Sequence, residues 1–214
     1  MKSIYTFVAL LLLLSSLSFA QTIDTVIVAT DITAVDGLVA KAASEKTGIP
    51  LFILENGEAD EALMAELSTF VDLKNIVIVG GPVVVSLNAE QRLAAGGYEI
   101  VRLWGYERTG TAVEVAKYFW PEGIRCTVLV EDTKNASVDT ALQTSASSLA
   151  VTFDCPLIPI PGNVPSDVLA TLESLNGSDV HLVARRDRDF DRVFAKFKLK
   201  KFIGAHDDVD DEIE

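Results

Sequence analysis

The chain has 214 residues, of which 49% are hydrophobic and 23% charged, and its formal net charge at pH 7 is −13. Such a length allows one sizeable core or two small ones. The negative charge disfavours nucleic acid as a partner, because phosphate contacts are made by lysine and arginine. Two cysteines and two separated histidines do not form a zinc ligand set, so no metal or other cofactor is expected.

Residues 1–20 have the three-part layout of a secretory signal peptide. Lys2 precedes an apolar run, and Ser18 and Ala20 supply the small residues before the cleavage point. The run is shorter than a transmembrane helix, so no stable membrane span is expected, although a retained N-terminal anchor is the alternative. We expect a secreted protein, extracellular or associated with the cell envelope, whose mature chain starts near Gln21.

From residue 24 onward, short apolar runs alternate with stretches of helical periodicity. Apolar side chains recur at helical spacing between the runs, as at Val35, Leu38 and Val39. Runs without polar alternation, separated by helices, predict mainly parallel sheets covered on both faces. The predicted strands, in chain order, are DTVIVA, IPLFIL, NIVIVGG, YEIVRLW, CTVLVE, CPLIPI and DVHLVA.

The pattern restarts after about 100 residues, which indicates two tandem units. The segment that begins TVIVAT can be laid over the one that begins TVLVED, and Asp36 then aligns with Asp139. We assign residues 22–104 to a first repeat, 105–204 to a second, degenerate repeat and 205–214 to a solvated acidic tail. The sequence therefore predicts the α/β class, with two tandem units whose mainly parallel sheets are covered by helices on both faces.

The segment RLWGYERTGTA lies between a predicted strand and a predicted helix. Its guanidinium groups, on Arg102 and Arg108, can each bind carbonyls or carboxylates, including that of Glu107 or those of the neighbouring unit. The segment therefore predicts a joint between the two repeats. Binding of an anionic polymer through the same guanidiniums is the alternative interpretation.

Two further residues of this segment have structural explanations. Gly105 would permit a turn with positive φ. Thr111 and Glu114 have the spacing of a capping box, which satisfies amides at the start of a helix.

These features resemble the cell wall-binding repeat 2 family. The resemblance is carried by a strand ending in IVGG, a helix, a GY turn, and the pattern R-hydrophobic-x-G-x-[D/E]-R-x-x-T-A at residues 102–112. Asp36 and Asp139 lie in VDGL and VDTAL, which resemble the family's Asp-Ala-Leu element. The chain departs from the pattern at Thr109-Gly110, where the family usually has Tyr-Glu.

The resemblance implies a non-catalytic module that holds a secreted protein on the cell surface by binding a cell-wall or surface-layer polymer. The family's modules typically come as three copies in a pseudo-threefold arrangement, each with a Rossmann-like or Toprim-like three-layer α/β/α fold, and this sequence offers two tandem copies. We therefore expect an open face that supports a homo-oligomer or partnership with another envelope protein. The second repeat has Ala184-Arg185 in place of the double glycine.

Other motifs keep different functions open. Gly80 and Gly81 follow a strand, where a phosphate could bind free amides, but the dinucleotide fingerprint and the phosphate-loop lysine are missing. Asp187 and Asp189 have a spacing that Toprim enzymes use, so a secreted metal-dependent phosphoester-processing enzyme is one alternative. A small-ligand binder is another. No G-x-S-x-G elbow occurs, and we expect no enzymatic activity.

Cys126 and Cys155 each begin a predicted strand of the second repeat. Neighbouring strands lie about 4.8 Å apart, so the two can form a disulfide in an exported protein, while two independent buried thiols are the alternative. Asn135 and Asn176 begin possible N-glycosylation sequons, which matter only where the host glycosylates exported proteins.

Overall fold

The computed structural model describes residues 23–132, 136–186 and 190–203, and of residues 136–139 it describes the backbone alone. The predicted alternation of strands and helices is present throughout these ranges. The first unit contains β1 (Thr25–Thr30), α1 (Ala34–Thr47), β2 (Leu51–Leu54), α2 (Glu61–Leu67), β3 (Asn75–Val79), α3 (Leu87–Ala95) and β4 (Glu99–Leu103). Helix α4 (Arg108–Phe119) falls within the predicted second repeat but packs on α1, and is therefore described with the first unit. The second unit contains β5 (Cys126–Asp132), α5 (Ala136–Phe153), β6 (Leu157–Pro161), α6 (Ser166–Ser174), β7 (Asp179–Ala184), α7 (Phe190–Val193) and β8 (Lys198–Ile203).

The strands form two four-stranded sheets with the same internal order. The first has the order β2-β1-β3-β4 and the second β6-β5-β7-β8, and every pair of neighbours is parallel. Parallel neighbours need crossover connections, which the intervening helices supply. The predicted fold class is therefore confirmed: the chain consists of two tandem α/β/α units with parallel sheets.

Local sequence sets the ends of several helices. Helix α1 stops at Gly48, whose φ of 72° lets its N–H reach the carbonyl of Ser44. The Ser86 hydroxyl accepts a hydrogen bond from the N–H of Ala89 and so begins α3.

The two units share one hydrophobic core. In β1, Ile27 and Ala29 face this core, while Val26 and Val28 face a smaller cluster on the other side of the first sheet. Helices α1 and α4 contact each other, and each also contacts the second unit, α1 through α5 and α4 through β6. Fully buried alanines such as Ala40 allow this close helix packing. The two units therefore pack as one body around α1 and α4.

Candidate functional site

The motif residues of the first unit gather at the carboxyl ends of its strands. Strands β1, β3 and β4 all end at this edge of the sheet, because they run parallel. Gly80 and Gly81 follow β3, and the segment from Trp104 to Arg108 follows β4. Open α/β sheets place their ligand sites at this edge.

Arg102 belongs to the first unit alone. Its side chain is 9% exposed, and its Nε and Nη2 donate to Oε2 of Glu90 over 3.0 and 2.9 Å. Its Nη1 donates to the carbonyls of Gly80, at 2.8 Å, and Val85, at 3.1 Å. Because Glu90, Gly80 and Val85 all precede residue 104, Arg102 fastens β4 to the β3–α3 connection and to α3. We predicted that Arg102 takes part in the joint between the repeats, but these contacts show that it binds within the first unit.

Arg108, in contrast, reaches the second unit. It is the first residue of α4, and its Nη1 donates to Oδ1 and Oδ2 of Asp132, the last residue of β5, over 3.1 and 3.0 Å. The Arg108 side chain is 48% exposed and that of Asp132 is 20% exposed. This ion pair lies between the carboxyl ends of the two sheets.

Two further contacts between the units were not predicted from the sequence. The buried hydroxyl of Thr109 donates to the carbonyl of Pro159, in the edge strand β6, over 2.7 Å. Lys46, at the end of α1, forms an ion pair with Asp154 at 2.8 Å. Thr109 occupies one of the positions where the chain departs from the family pattern. A signal was available, because Thr109 has helical spacing to the buried Ala112 and could be placed on the apolar face.

The turn before α4 corrects two predictions. The helix begins at Arg108, so Thr111 lies within its first turn, where its hydroxyl accepts from the N–H of Gly105 over 3.2 Å. Glu114 pairs with Lys117 at 2.9 Å, so the capping-box prediction is wrong. Gly105 is also not in the left-handed region.

Gly105 is required because the backbone of Gly110 lies very close to it. A Cβ at this position would lie 2.5 Å from the carbonyl carbon of Gly110 and 2.6 Å from its Cα. The turn therefore packs backbone against backbone. Glu107 occupies the N-cap position of α4 and makes no capping hydrogen bond with its side chain.

Asp36 is a buried carboxylate at the same edge of the sheet. Its Oδ2 accepts from the hydroxyl of Thr33 over 2.6 Å, while its Oδ1 has no hydrogen-bond partner within the described ranges. Burial raises the pKa of Asp36, and the Thr33 hydrogen bond and the attraction of Arg108 oppose that rise. Gly80, with a φ of 131°, passes next to it, since a Cβ there would lie 3.8 Å from Oδ2 of Asp36. Asp36 and Gly80 are thus brought together near Arg108.

A shallow cavity of about 300 Å³ lies beside the ion pair of the two units, lined by Glu107, Arg108, Thr109, Asp132 and Pro161. Four of its five lining residues carry a polar or charged group, beside the apolar surface that the cavity also exposes. It offers two carboxylates and a guanidinium that can exchange hydrogen bonds with a polar ligand.

The corresponding edge of the second unit is built differently. Where the first unit has two glycines, the second has Ala184-Arg185, and the N–H of Arg185 donates to Oε2 of the buried Glu131 over 2.9 Å. The backbone amide at this place therefore has a carboxylate partner from the protein itself. Asp139, the counterpart of Asp36, lies in α5, and its side chain is outside the described residues.

The remaining predicted sites are spread over the second unit. Cys126 and Cys155 form a disulfide, with their Cα atoms 5.3 Å apart. Asn176 is exposed, with a φ of 56°, in the turn after α6. Asn135, Asp187 and Asp189 lie outside the described residues.

In the part of the chain that the structure describes, no group of three His, Cys, Asp or Glu side chains is placed to hold a metal ion. Over the same ranges, no helix combines the length and the apolar character that crossing a membrane requires.

Comparison with known sequences identifies relatives from two archaea. No family model matches the chain. It is 30% identical over 163 residues to an uncharacterized protein of Pyrococcus abyssi, and this alignment covers 75% of this chain and 47% of the relative. It is 27% identical over 183 residues to an uncharacterized protein of Pyrococcus horikoshii, covering 82% of this chain and 53% of that one. The chain thus spans about half the length of the curated relatives that it matches.

Comparison with solved structures identifies the same fold in two Clostridium difficile proteins. Cwp8 superposes with a TM-score of 0.66 at 20% identity, over 86% of this chain and 31% of its own. Cwp6 gives a TM-score of 0.62 at 19% identity, over 74% of this chain and 25% of its own. At these identities the likeness is one of fold, and this chain corresponds to less than a third of either protein.

Proposed function

We propose that the chain is a secreted, non-catalytic module of the cell wall-binding repeat 2 kind that binds a cell-wall or surface-layer polymer. The observation that carries the proposal is the fold, since it is shared with the cell wall proteins Cwp6 and Cwp8 over most of this chain. The sequence pattern of residues 102–112 supports it independently, because it resembles that family's motif.

Within this proposal, residues 1–20 direct export and residues 22–104 and 105–204 are the two repeats. Helix α4 packs on α1 of the first repeat, and the Arg108–Asp132 ion pair and the Thr109–Pro159 hydrogen bond fix α4 to β5 and β6 of the second. Because the core continues between the two sheets, a polymer bound to one unit would act on a single rigid body.

A second part of the proposal concerns self-association. In the first unit, α4 covers one side of α1. In the second unit, α5 occupies the position that α1 occupies in the first. A groove of about 450 Å³ runs beside α5, lined by Leu142, Ser145, Ser148, Leu149, Thr152, Val183, Phe202 and Ile203. We infer that a second copy of the chain covers this groove in a homo-oligomer, with another envelope protein as the competing partner. Light scattering of the parent and of Phe202→Asp tests this, since a parent that is monomeric at high micromolar concentration would exclude self-association.

Co-sedimentation tests the binding function. The mature protein, from Gln21, is incubated with isolated cell envelopes over a range of salt concentrations and pelleted, with an acidic protein of similar size as the control. We expect the mature protein in the pellet and the control in the supernatant. Parallel samples with a chelator show whether divalent cations bridge the acidic chain to an anionic polymer. Absence from the pellet at every salt concentration would overturn the proposal.

A further inference from the structure

Two large aromatic side chains are exposed at the carboxyl end of the first sheet. Trp104 is 48% exposed and Tyr106 is 98% exposed, whereas Trp120, at the end of α4, is 4% exposed. Aromatic side chains stabilise a fold mainly through burial, so two exposed ones in three residues mark a contact surface. Ile32 and Val83, from the connections after β1 and β3, are exposed at the same edge.

The turn itself does not require these aromatics. Its geometry depends on the close approach of Gly105 to Gly110 and on the hydrogen bond from Gly105 to Thr111. Trp104 and Tyr106 occupy the two unspecified positions of the pattern R-hydrophobic-x-G-x-[D/E]-R. Neither the close approach of the two glycines nor the hydrogen bond to Thr111 involves the side chain of Trp104 or Tyr106.

Trp104 is nevertheless held in place. Its six-membered ring packs on the backbone of Gly81, where a Cβ would lie 3.2 Å from Cε3 of the indole. Half of the side chain remains in contact with solvent. A ring fixed by its surroundings binds a flat ligand with little loss of conformational entropy.

The polar groups beside the aromatics suit hydroxyl groups better than anions. Glu107 follows Tyr106 directly, and the cavity of about 300 Å³ adds the carboxylate of Asp132. The guanidinium of Arg108 is already paired with Asp132, and the chain carries a net charge of −13. An acidic polymer would approach carboxylates here, while uncharged hydroxyls can donate hydrogen bonds to them.

We propose that Trp104 and Tyr106 form an aromatic platform that binds an uncharged polysaccharide, with Glu107, Arg108 and Asp132 contacting its hydroxyl groups. The apolar C–H face of a sugar ring packs on an aromatic ring, whose face carries partial negative charge. This inference rests on the proposed envelope-binding function and narrows its polymer to the uncharged class.

The test uses the polysaccharide of isolated envelopes, released and separated by anion exchange into an uncharged and an acidic fraction. Binding of the mature protein and of each variant to each fraction is measured by affinity electrophoresis, and tryptophan fluorescence is added for the variants that retain Trp104. We expect Trp104→Ala and Tyr106→Ala to weaken binding to the uncharged fraction about tenfold each, and Trp104→Phe to retain most of it. Tyr118→Ala is the matched control, because Tyr118 is 46% exposed on α4 and lies outside the platform.

The possible outcomes distinguish the platform from the envelope-binding function. Binding confined to the acidic fraction, or equal binding by Trp104→Ala and the parent, would overturn the platform. If the parent and both alanine variants pellet equally with envelopes, the envelope-binding function stands and the platform falls. A parent that stays in the supernatant overturns the proposed function and, with it, this inference.

Discussion

Arg108 of α4 and Asp132 of β5 join the two units, with one guanidinium nitrogen 3.1 and 3.0 Å from the two carboxylate oxygens. The pair is partly exposed, so solvent screens it, and exposed pairs contribute about 1 kcal/mol or less. We therefore expect Arg108→Ala to lower the free energy of unfolding by no more than about 1 kcal/mol, measured by urea denaturation. Arg92→Ala is the control, since Arg92 is similarly exposed and lies 4.0 Å from Glu61 within the first unit.

Arg102 should behave very differently from Arg108. Its guanidinium is buried and pairs with Glu90 and two carbonyls, so removing it takes this partner from the partly exposed Glu90 carboxylate and from the carbonyls of the buried residues Gly80 and Val85. We expect Arg102→Ala to cost about 3 kcal/mol in the same urea experiment. A loss equal to that of Arg92→Ala would show that Arg102 does not hold β4 to α3.

Thr109 provides a hydrogen bond whose contribution can be isolated. Thr109→Val keeps the shape of the side chain and removes the hydroxyl that donates to Pro159, which leaves a buried carbonyl unpaired. We expect a loss of about 1 kcal/mol in the free energy of unfolding, and recovery of most of it in Thr109→Ser. Thr144→Val is the matched control, because the exposed hydroxyl of Thr144 bonds only within its own helix. Equal effects at the two threonines would exclude a role of Thr109 between the units.

The contrast between Arg102 and Arg108 shows where sequence reasoning succeeds. Periodicity reports which residues are buried, and it predicted the alternation of strands and helices and the repeat of topology. It cannot report partners, because Glu90 reaches Arg102 only through the pairing of β3 with β4. The role of Gly105 was missed for the same reason. A glycine is needed there because the backbone of Gly110 approaches closely, and the spacing of residues in the sequence does not predict such a distance.

The disulfide offers a prediction that depends on chain connectivity. Cys126 and Cys155 are 29 residues apart in sequence, and closing a loop of that size restricts the unfolded chain. We expect the Cys126→Ser, Cys155→Ser double variant to be less stable than the oxidised parent by about 3 kcal/mol. Dithiothreitol should lower the denaturation midpoint of the parent alone. A parent that is insensitive to reductant, with free thiols by mass spectrometry, would contradict the disulfide.

Asp36 makes the stability of the protein depend on pH in an unusual direction. Burial raises the pKa of this carboxyl from its ordinary value of 3.8, so the folded state binds the proton more tightly than the unfolded state does. The resulting cost is absent below the ordinary pKa, grows as pH rises through the folded pKa and is complete above it. We expect Asp36→Asn to unfold at a higher temperature than the parent at pH 7, with the difference vanishing below about pH 4. Asp72→Asn, at an exposed position, is the control. If Asp36→Asn is less stable than the parent at pH 7, the Thr33 hydrogen bond and the attraction of Arg108 together outweigh the cost of burial.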